Sequence, residues 1–191
     1  MKKNKPLDYN YARNVIDYTK ATKSFKERND CSVRAIATAV GVEYNEAHMY
    51  LREKFERIPR KGCQNMVGKI LRLIKNDPVQ RIGDREFQFE YVQRKDLKNR
   101  YKVHGKVINR RKTVKSFINT FREGTYLVFV SNHVFTVKDG CLIDNSGEEF
   151  RPTRKVLDAV RVNVRSNQMD FFEEGCPLAE FIFKHSMSLS A

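Results

Sequence analysis

One segment, TYLVFVSNHVFTVKDGCLID at residues 125–144, constrains the possible fold of this chain more than any other. Residues 125–132 are strongly apolar and predict a buried strand. The dipeptide Asp139-Gly140 separates two further runs, and in this setting it is the strongest short-range signal for a two-residue hairpin turn. The sequence therefore predicts antiparallel β-structure in its C-terminal half.

Helix signals dominate the part of the chain before this segment. Asp30 is typical of a helix N-cap, apolar residues follow it at helical spacing, and Gly41 is typical of a helix end. The further predicted elements are a helix between a cap at Asn45 and Pro59, helices at about 65–74 and 113–124, and strands at 87–93 and 156–165. Helices that precede an antiparallel half predict an α+β fold.

Length and composition predict the domain organisation. The chain has 191 residues, 40% apolar and 31% charged, which suits one globular domain. We assign this domain to residues 27–165, an irregular N-terminal arm to 1–26 and a C-terminal tail to 166–191. No run of about 18 apolar residues could span a membrane, and the start of the chain lacks the apolar stretch of a secretory signal. We therefore expect a cytoplasmic protein without membrane contact.

Cys31 lies where a thiol can be activated, at the predicted start of the first helix. Unpaired amide groups and the positive end of the helix dipole favour a thiolate there, which lowers the pKa of the thiol. Asp30 would act in the opposite direction if its side chain caps the helix. Buried free cysteines are common, so a structural role is the alternative for Cys31. The three other cysteines, Cys63, Cys141 and Cys176, are interpreted as structural.

A thiolate needs a base to act as a catalyst, and the chain has four histidines. His133 stands directly after a buried strand, at the start of a hairpin strand, and such a strand end holds a side chain rigidly. The others are less suitable, because they lie on a predicted surface helix (His48), in a basic segment (His104) and in the tail (His185). His133 is therefore the candidate base, with a structural histidine as the alternative.

The register of the hairpin selects the residue that could orient His133. A two-residue turn at 139–140 pairs Phe135 with Asp144. Alternation then puts His133 and Asp144 on one face, about 7–8 Å apart at the backbone. Asn145 would point to the other face, but a turn one residue longer would exchange the two residues. Asp144 is the preferred orienter and Asn145 the alternative.

The order of these residues resembles that of the papain-like cysteine peptidase superfamily, in which a Cys at a helix start precedes a His and then an Asp or Asn. The segment NDCSVRAIA, residues 29–37, is similar to the nucleophile segment of ovarian-tumour-type deubiquitinases. Small phage-encoded cysteine peptidase-like proteins resemble the chain best, through an Asn-Asp-Cys start and a GTYLVFVSNHVFTV…DG ending. The resemblance covers roughly residues 27–60 and 113–146.

This resemblance implies a papain-like fold, with N-terminal helices that carry the Cys packed on an antiparallel sheet that carries the His and Asp. It implies a phage-encoded protease that cleaves a peptide or isopeptide bond through a thioester on Cys31, with His133 as base and acid and Asp144 as orienter. The family's oxyanion hole uses the amide of the nucleophile, and Asn29 is the nearest polar donor to complete it. The partner would be a protein or peptide substrate in the host cytoplasm or the virion. No cofactor is implied, and the spacing of His and Cys predicts no metal site.

Residues 91–122 form the second main feature, with eleven Lys or Arg residues against one Asp. The formal net charge of the whole chain is +14, which favours a polyanionic partner. Aromatic residues are interleaved among these charges, as in segments that bind nucleic acid without sequence preference. The candidate contacts are Lys106, Arg110, Arg111, Lys112 and Lys115. A solvated basic face is the alternative for the segment, and a catalytically idle papain-like scaffold that binds nucleic acid or builds a virion is the alternative for the chain.

Overall fold

The computed structural model of the protein describes residues 26–27, 29–143 and 152–165. Within them lie the helices α1 (Cys31–Val40), α2 (Tyr44–Lys54), α3 (Met66–Asn76) and α4 (Val114–Thr120). The strands are β1 (Val79–Ile82), β2 (Arg85–Tyr91), β3 (Lys98–Val103), β4 (Lys106–Arg111), β5 (Thr125–Val130), β6 (His133–Lys138), β7 (Cys141–Ile143) and β8 (Asp158–Val164). The predicted α+β class is confirmed.

Six strands form one antiparallel sheet in the order β1-β2-β8-β5-β6-β7. The predicted hairpin joins β6 to β7, and Lys138 pairs with Cys141 as the two-residue turn requires. The turn residues Asp139 and Gly140 have φ values of 47° and 74°. Positive φ at both positions is the geometry that matches the twist of the flanking strands. The predicted register is therefore confirmed over the described part of the hairpin.

Alternate residues of the central strand β5 pack into two separate cores. Leu127 and Phe129 pack with residues of α1, α2 and α3. Tyr126 and Val128 lie on the other face and pack with residues of α4. The sheet is therefore a middle layer, and β6, whose residues 134–137 are all buried, is held from both sides.

Helix α1 is fixed by its buried face and by its C-terminus. Val33 and Ile36 are fully buried in the core between the helices and the sheet. Gly41 follows the helix with a φ of 76°, and its N–H bonds to the carbonyl oxygen of Ala37. This left-handed conformation costs glycine little, which explains why the helix ends where the sequence predicts. The N-terminus of α1 is consequently held in one position relative to the sheet.

The second helix differs from the prediction at both ends. It begins after Glu43 instead of Asn45, because the side chains of Glu43 and Glu46 form a capping box with the helix amides. It ends well before Pro59, where Glu56 takes a left-handed φ of 46°. A single Asn was the weaker signal here, since a reciprocal cap satisfies two amide groups at once.

The last helix and the strands near it also differ from the prediction. Thr113 caps α4 as expected, and its hydroxyl accepts the N–H of Ser116 at 3.2 Å. The helix ends before Gly124, because the backbone of Phe121 leaves the helical region with φ −108° and ψ 75°. Strands β1, β3 and β4 were not predicted. Half of the residues of β3 and β4 are charged and four of the twelve are apolar, so the apolar signal that identifies a strand is weak.

The outer parts of the predicted organisation fall outside the described residues. These are positions 1–25 of the arm and 166–191 of the tail. All eight described strands lie between residues 79 and 164. None of the helices in the described ranges combines the length and the apolar character needed to cross a membrane.

Candidate active site

Cys31 and His133 lie side by side at one edge of the molecule's helix–sheet contact. Cys31 is the first residue of α1, and His133 is the first residue of β6. The Cys31 thiol and the His133 imidazole are joined by a hydrogen bond. The imidazole also packs beside the ring of Phe135, with centroids 6.0 Å apart. The structure thus brings the candidate nucleophile within hydrogen-bond reach of the candidate base, as a Cys–His pair requires.

The surroundings of Cys31 lower the pKa of its thiol below the ordinary value. Burial alone raises this pKa, because it disfavours the charged thiolate. The hydrogen bond with His133, the backbone N–H groups of Val134 and Ser32, and the charge of the imidazole act in the opposite direction and prevail. The thiolate is therefore populated at a lower pH than in an unperturbed cysteine, which makes Cys31 a better nucleophile at neutral pH.

Asp30 precedes Cys31, but its side chain does not cap α1. It therefore does not oppose the ionisation of the thiol in that way. The carboxylate of Asp30 accepts hydrogen bonds from Nε of Arg34 at 2.9 Å and from the hydroxyl of Tyr44 at 3.0 Å. It makes no capping bond to the helix amides. The expectation of a side-chain cap at Asp30 is therefore wrong. Because the carboxylate is held elsewhere, the Ser32 N–H can bond to the thiol sulfur.

A cleft of about 1050 Å³ opens over the thiol–imidazole pair. Its lining includes the start of α1, the turn between β5 and β6, and a loop at residues 61–65 that the sequence did not indicate. The loop abuts the segment that leads into α1, since a Cβ added to Gly62 would lie 3.5 Å from the carbonyl oxygen of Asn29. Arg154 and Asp158 complete the lining from the side of β8.

Asn29, the predicted oxyanion donor, lines this cleft with its side chain already engaged. Its Nδ2 donates a hydrogen bond to the carbonyl oxygen of Arg60 at 2.9 Å. A primary amide has two N–H groups, so with respect to the described residues one remains for a substrate oxygen. Gln64 also lines the cleft and is exposed. It is a second amide donor, which the sequence analysis missed.

The two candidate orienters of His133 fall outside the described residues. Asp144 and Asn145 both belong to the range 144–151. The last described pair of the hairpin before this range joins Thr136 to Ile143. The choice between Asp144 and Asn145 therefore stays a prediction.

Cys63 is a second free thiol in the same cleft. Burial raises its pKa more than the charges of Lys69 and Arg57 lower it. The pKa values of the two thiols are thus shifted in opposite directions, so Cys31 is the more readily ionised of the two. Gly62 is the one residue that could have indicated a turn here, since its φ of 75° is a conformation that glycine adopts readily.

A buried ion pair holds the segment that leads into α1. Glu27, whose side chain is fully buried, accepts hydrogen bonds from Arg57 at both oxygens, at 3.0 and 2.9 Å. Nε2 of His48 lies 2.9 Å from the same carboxylate, and the Arg60 N–H donates to it at 2.9 Å. Burial alone raises the pKa of Glu27, but these hydrogen bonds and the charge of Arg57 hold it at about 2. The expectation of His48 on a surface helix is wrong, because the side chain is buried against Glu27.

The five basic candidates of residues 91–122 take up different environments. Three of them are exposed on β4: Lys106, Arg110 and Arg111. Lys112 is buried, and its Nζ donates to Oδ1 of Asn99 at 2.8 Å and to Oγ1 of Thr120 at 3.1 Å. Contrary to the prediction, Lys112 is a structural residue of this region. Lys115 is exposed on α4.

Comparisons of the chain with protein-family profiles, with curated proteins and with solved structures each return no match. In the part of the chain that the structure describes, no group of three or more His, Cys, Asp or Glu side chains is placed to hold a metal ion. A functional assignment therefore depends on the chemistry of the Cys31–His133 pair and its cleft.

Proposed function

We propose that the protein is a cysteine hydrolase of papain-like architecture, which cleaves a peptide or isopeptide bond in a protein substrate. The observation that carries this proposal is the hydrogen bond between the Cys31 thiol and the His133 imidazole. A helix start, an imidazole and backbone N–H groups are the surroundings that activate a nucleophilic cysteine. The chain order, with the Cys on a helix and the His on a later antiparallel strand, supports the papain-like assignment.

The proposed reaction begins with the attack of the Cys31 thiolate on the carbonyl carbon of the scissile bond. The main-chain N–H of Cys31 is the donor that we assign to the developing oxyanion, because the first amides of a helix have no partner within it. The imidazolium of His133 then protonates the leaving amine, and a thioester remains on Cys31. Water, deprotonated by His133, hydrolyses the thioester and restores the thiol.

The size of the cleft supports a polymeric substrate. Its volume of about 1050 Å³ lies at the upper limit of the roughly 300–1,000 Å³ that small-molecule pockets occupy. The amide side chains of Asn29 and Gln64 at its lining suit hydrogen bonding to an extended main chain. From the sequence resemblance we infer that the enzyme is phage-encoded and acts in the host cytoplasm or on the virion.

The alternative function is that of an idle papain-like scaffold with a nucleic-acid-binding or virion-structural role. The exposed basic strands β3 and β4 favour a binding role. They do not account for a Cys–His pair whose thiol has a lowered pKa, because binding through surface cations needs no nucleophile. The hydrolase is therefore the assignment that the geometry supports best.

Selective alkylation tests this proposal, with Cys63 as the control thiol in the same cleft. The protein is treated with limiting iodoacetamide at about pH 6, and the modification of each cysteine is followed by peptide mass spectrometry. Because the pKa of Cys31 is lowered and that of Cys63 is raised, we expect Cys31 to react roughly tenfold faster or more. Cleavage is then assayed on a peptide library, in which Cys31→Ala should abolish every cut and Cys63→Ala should retain them.

Two histidine variants show whether the reactivity depends on the proposed base. His133→Ala should remove the difference between the two thiols, whereas His104→Ala, in the exposed turn of the β3–β4 hairpin, should preserve it. Equal labelling of both thiols in the unmodified protein would contradict the hydrolase. So would a His133→Ala variant that labels like the unmodified protein. Selective labelling without any cleavage would favour the idle scaffold.

A further inference from the structure

The β3–β4 hairpin stands apart from the six-stranded sheet as a two-stranded ribbon. Its six residue pairs begin at Lys98–Arg111 and end at a two-residue turn, residues 104–105. At about 3.4 Å per residue, each strand is roughly 20 Å long. All but two of the ribbon's side chains are exposed. The ribbon therefore offers nearly its whole surface to a partner.

Six cations lie on this ribbon, and none of them is neutralised by a described carboxylate. They are Lys98, Arg100, Lys102, Lys106, Arg110 and Arg111, and residues 98–111 contain no Asp or Glu. Elsewhere in the described ranges, cations form salt bridges, such as Arg57 with Glu27 and Arg81 with Glu86. Like charges held close together repel one another, so an anionic partner would stabilise this surface.

Four of the six cations share the face of the ribbon that points away from α4. The pairing register and the alternation of side chains put on this face Lys98, Arg100, Lys102 and Arg111. The opposite face is attached to α4 at its base, where Nδ2 of Asn99 donates to the hydroxyl of Ser116 at 2.9 Å. The cationic face is thus open to solvent, with cations about 6.8 Å apart along β3.

Duplex DNA suits this ribbon better than an acidic protein does. The major groove of B-DNA is about 12 Å wide and admits a two-stranded β-ribbon between walls of phosphate. A protein interface needs a core depleted in charge, but the cationic face contributes Val107 as its one apolar side chain. The deep, narrow major groove of A-form RNA would exclude the ribbon.

We propose that the β3–β4 hairpin is a binding site for duplex DNA, which holds the phosphate backbone without sequence preference. The contacts come from the cationic face, and the ribbon's width selects the major groove of the duplex. In the described part of the chain, no residue of the ribbon lines the cleft at Cys31. The DNA site and the proposed hydrolase are therefore separate, and an experiment can reject either one without the other.

Fluorescence anisotropy with a labelled duplex of about 20 base pairs tests this site. The association constant is measured at several NaCl concentrations between about 50 and 200 mM, for the unmodified protein and for the triple variant Lys98→Gln, Arg100→Gln, Lys102→Gln. Each lost duplex phosphate contact flattens the slope of log K against log salt by about 0.9. The triple variant should therefore flatten the slope by about 2.7.

A matched control separates the effect of the ribbon's cations on the slope from the effect of the net charge. It carries Arg52→Gln, Arg72→Gln and Lys75→Gln, three exposed cations of α2 and α3. Both triple variants change the formal charge from +14 to +11, and the control should keep the original slope. Equal flattening in both variants, or no salt-dependent binding at about 50 mM, would overturn the proposal. If poly-glutamate competes as effectively as DNA, the partner of the ribbon is an acidic protein. Labelling of Cys31 in each variant is the control that the fold is intact.

Discussion

The hydroxyl of Thr136 donates a hydrogen bond to the carbonyl oxygen of Ala35 at 2.8 Å, in a fully buried position. Ala35 lies one helical turn after Cys31 on α1, and Thr136 lies three residues after His133 on β6. The bond therefore ties the helix that carries the thiol to the strand that carries the imidazole. A shift of either element would lengthen it, so the geometry of the Cys–His pair depends on a contact outside the cleft.

We expect Thr136→Val to destabilise the protein by about 1–2 kcal/mol, because valine keeps the shape but loses the buried hydrogen bond. The preference of iodoacetamide for Cys31 over Cys63 should fall as well. Urea unfolding and the alkylation assay measure the two effects. Thr125→Val is the matched control, since the Thr125 side chain makes no hydrogen bond among the described residues. A loss of stability as large in the control would mean that the Thr136 bond contributes nothing specific.

A second prediction concerns Ser32, which follows the nucleophile. The Ser32 hydroxyl is buried and has no hydrogen-bond partner among the described residues. Removing an unsatisfied buried polar group relieves its desolvation cost, so Ser32→Ala should leave the free energy of unfolding unchanged or raise it by about 1 kcal/mol. Labelling of Cys31 should not change, because the thiol is bonded to the backbone N–H of residue 32.

Ser116→Ala is the comparison for this substitution. The Ser116 hydroxyl exchanges hydrogen bonds with the side chain of Asn99, at 2.9 and 3.2 Å. The same Ser-to-Ala change should therefore destabilise the protein by about 1 kcal/mol at this position. Both values come from urea unfolding. A destabilisation by Ser32→Ala as large as that by Ser116→Ala would show that Ser32 has a partner beyond the described residues.

Local signals account for what the sequence predicted correctly. Asp139 and Gly140 tolerate the left-handed conformations of a two-residue turn, so the hairpin and its register followed from two neighbouring residues. Gly41 ended α1 for a similar reason. The position of Cys31 at a helix start depended on the same local pattern. Its contact with His133 was a hypothesis from a hairpin pattern and a resemblance, because no local rule joins residues so far apart in the chain.

Contacts between distant segments account for what the sequence missed. His48 reads as a surface residue from its own helix, and its burial depends on Glu27, which belongs to no periodic pattern. Lys112 reads as one more exposed cation, and its burial depends on Asn99 and Thr120. The loop at 61–65 has no regular secondary-structure pattern that would place it beside the thiol. Such positions depend on contacts between distant segments of the tertiary fold, and local patterns in a single sequence do not reveal these contacts.

The third prediction concerns the acid stability that Glu27 confers. The pKa of this carboxyl is about 2 in the folded protein, and its ordinary value, which we assign to the unfolded chain, is 4.5. The unfolded chain therefore binds the proton more tightly, so the stabilisation is complete above pH 4.5 and is lost as the pH falls towards 2. The difference in pKa corresponds to on the order of 3 kcal/mol. Urea unfolding between about pH 6 and pH 3 should show this loss in the unmodified protein.

Glu27→Gln isolates this contribution from that of the other carboxylates. The variant should be less stable at about pH 6 by 3–5 kcal/mol, because it leaves the Arg57 guanidinium buried without a charge partner. The difference in the free energy of unfolding between the two proteins should then narrow as the pH falls. The reason is that the unmodified protein loses the contribution of the ionised Glu27, which the variant lacks at every pH. Glu53→Gln, at an exposed position of α2, is the control, and its free energy of unfolding should change with pH as that of the unmodified protein does. A gap that stays constant with pH would contradict the assignment to Glu27.

The fourth prediction ranks the two candidate orienters of His133. The confirmed register extends to Thr136–Ile143. If the pairing continues with the same alternation, we expect Asp144 on the face of His133 and Asn145 on the other. Asp144→Ala should therefore slow Cys31 alkylation at about pH 6 several-fold, because His133 loses the partner that holds its imidazole and favours its charged form. Asn145→Ala should leave the rate within about twofold. The same order is expected for cleavage of the peptide library. If Asn145→Ala has the larger effect, the strand pairing slips by one residue after Ile143, and Asn145 is the orienter.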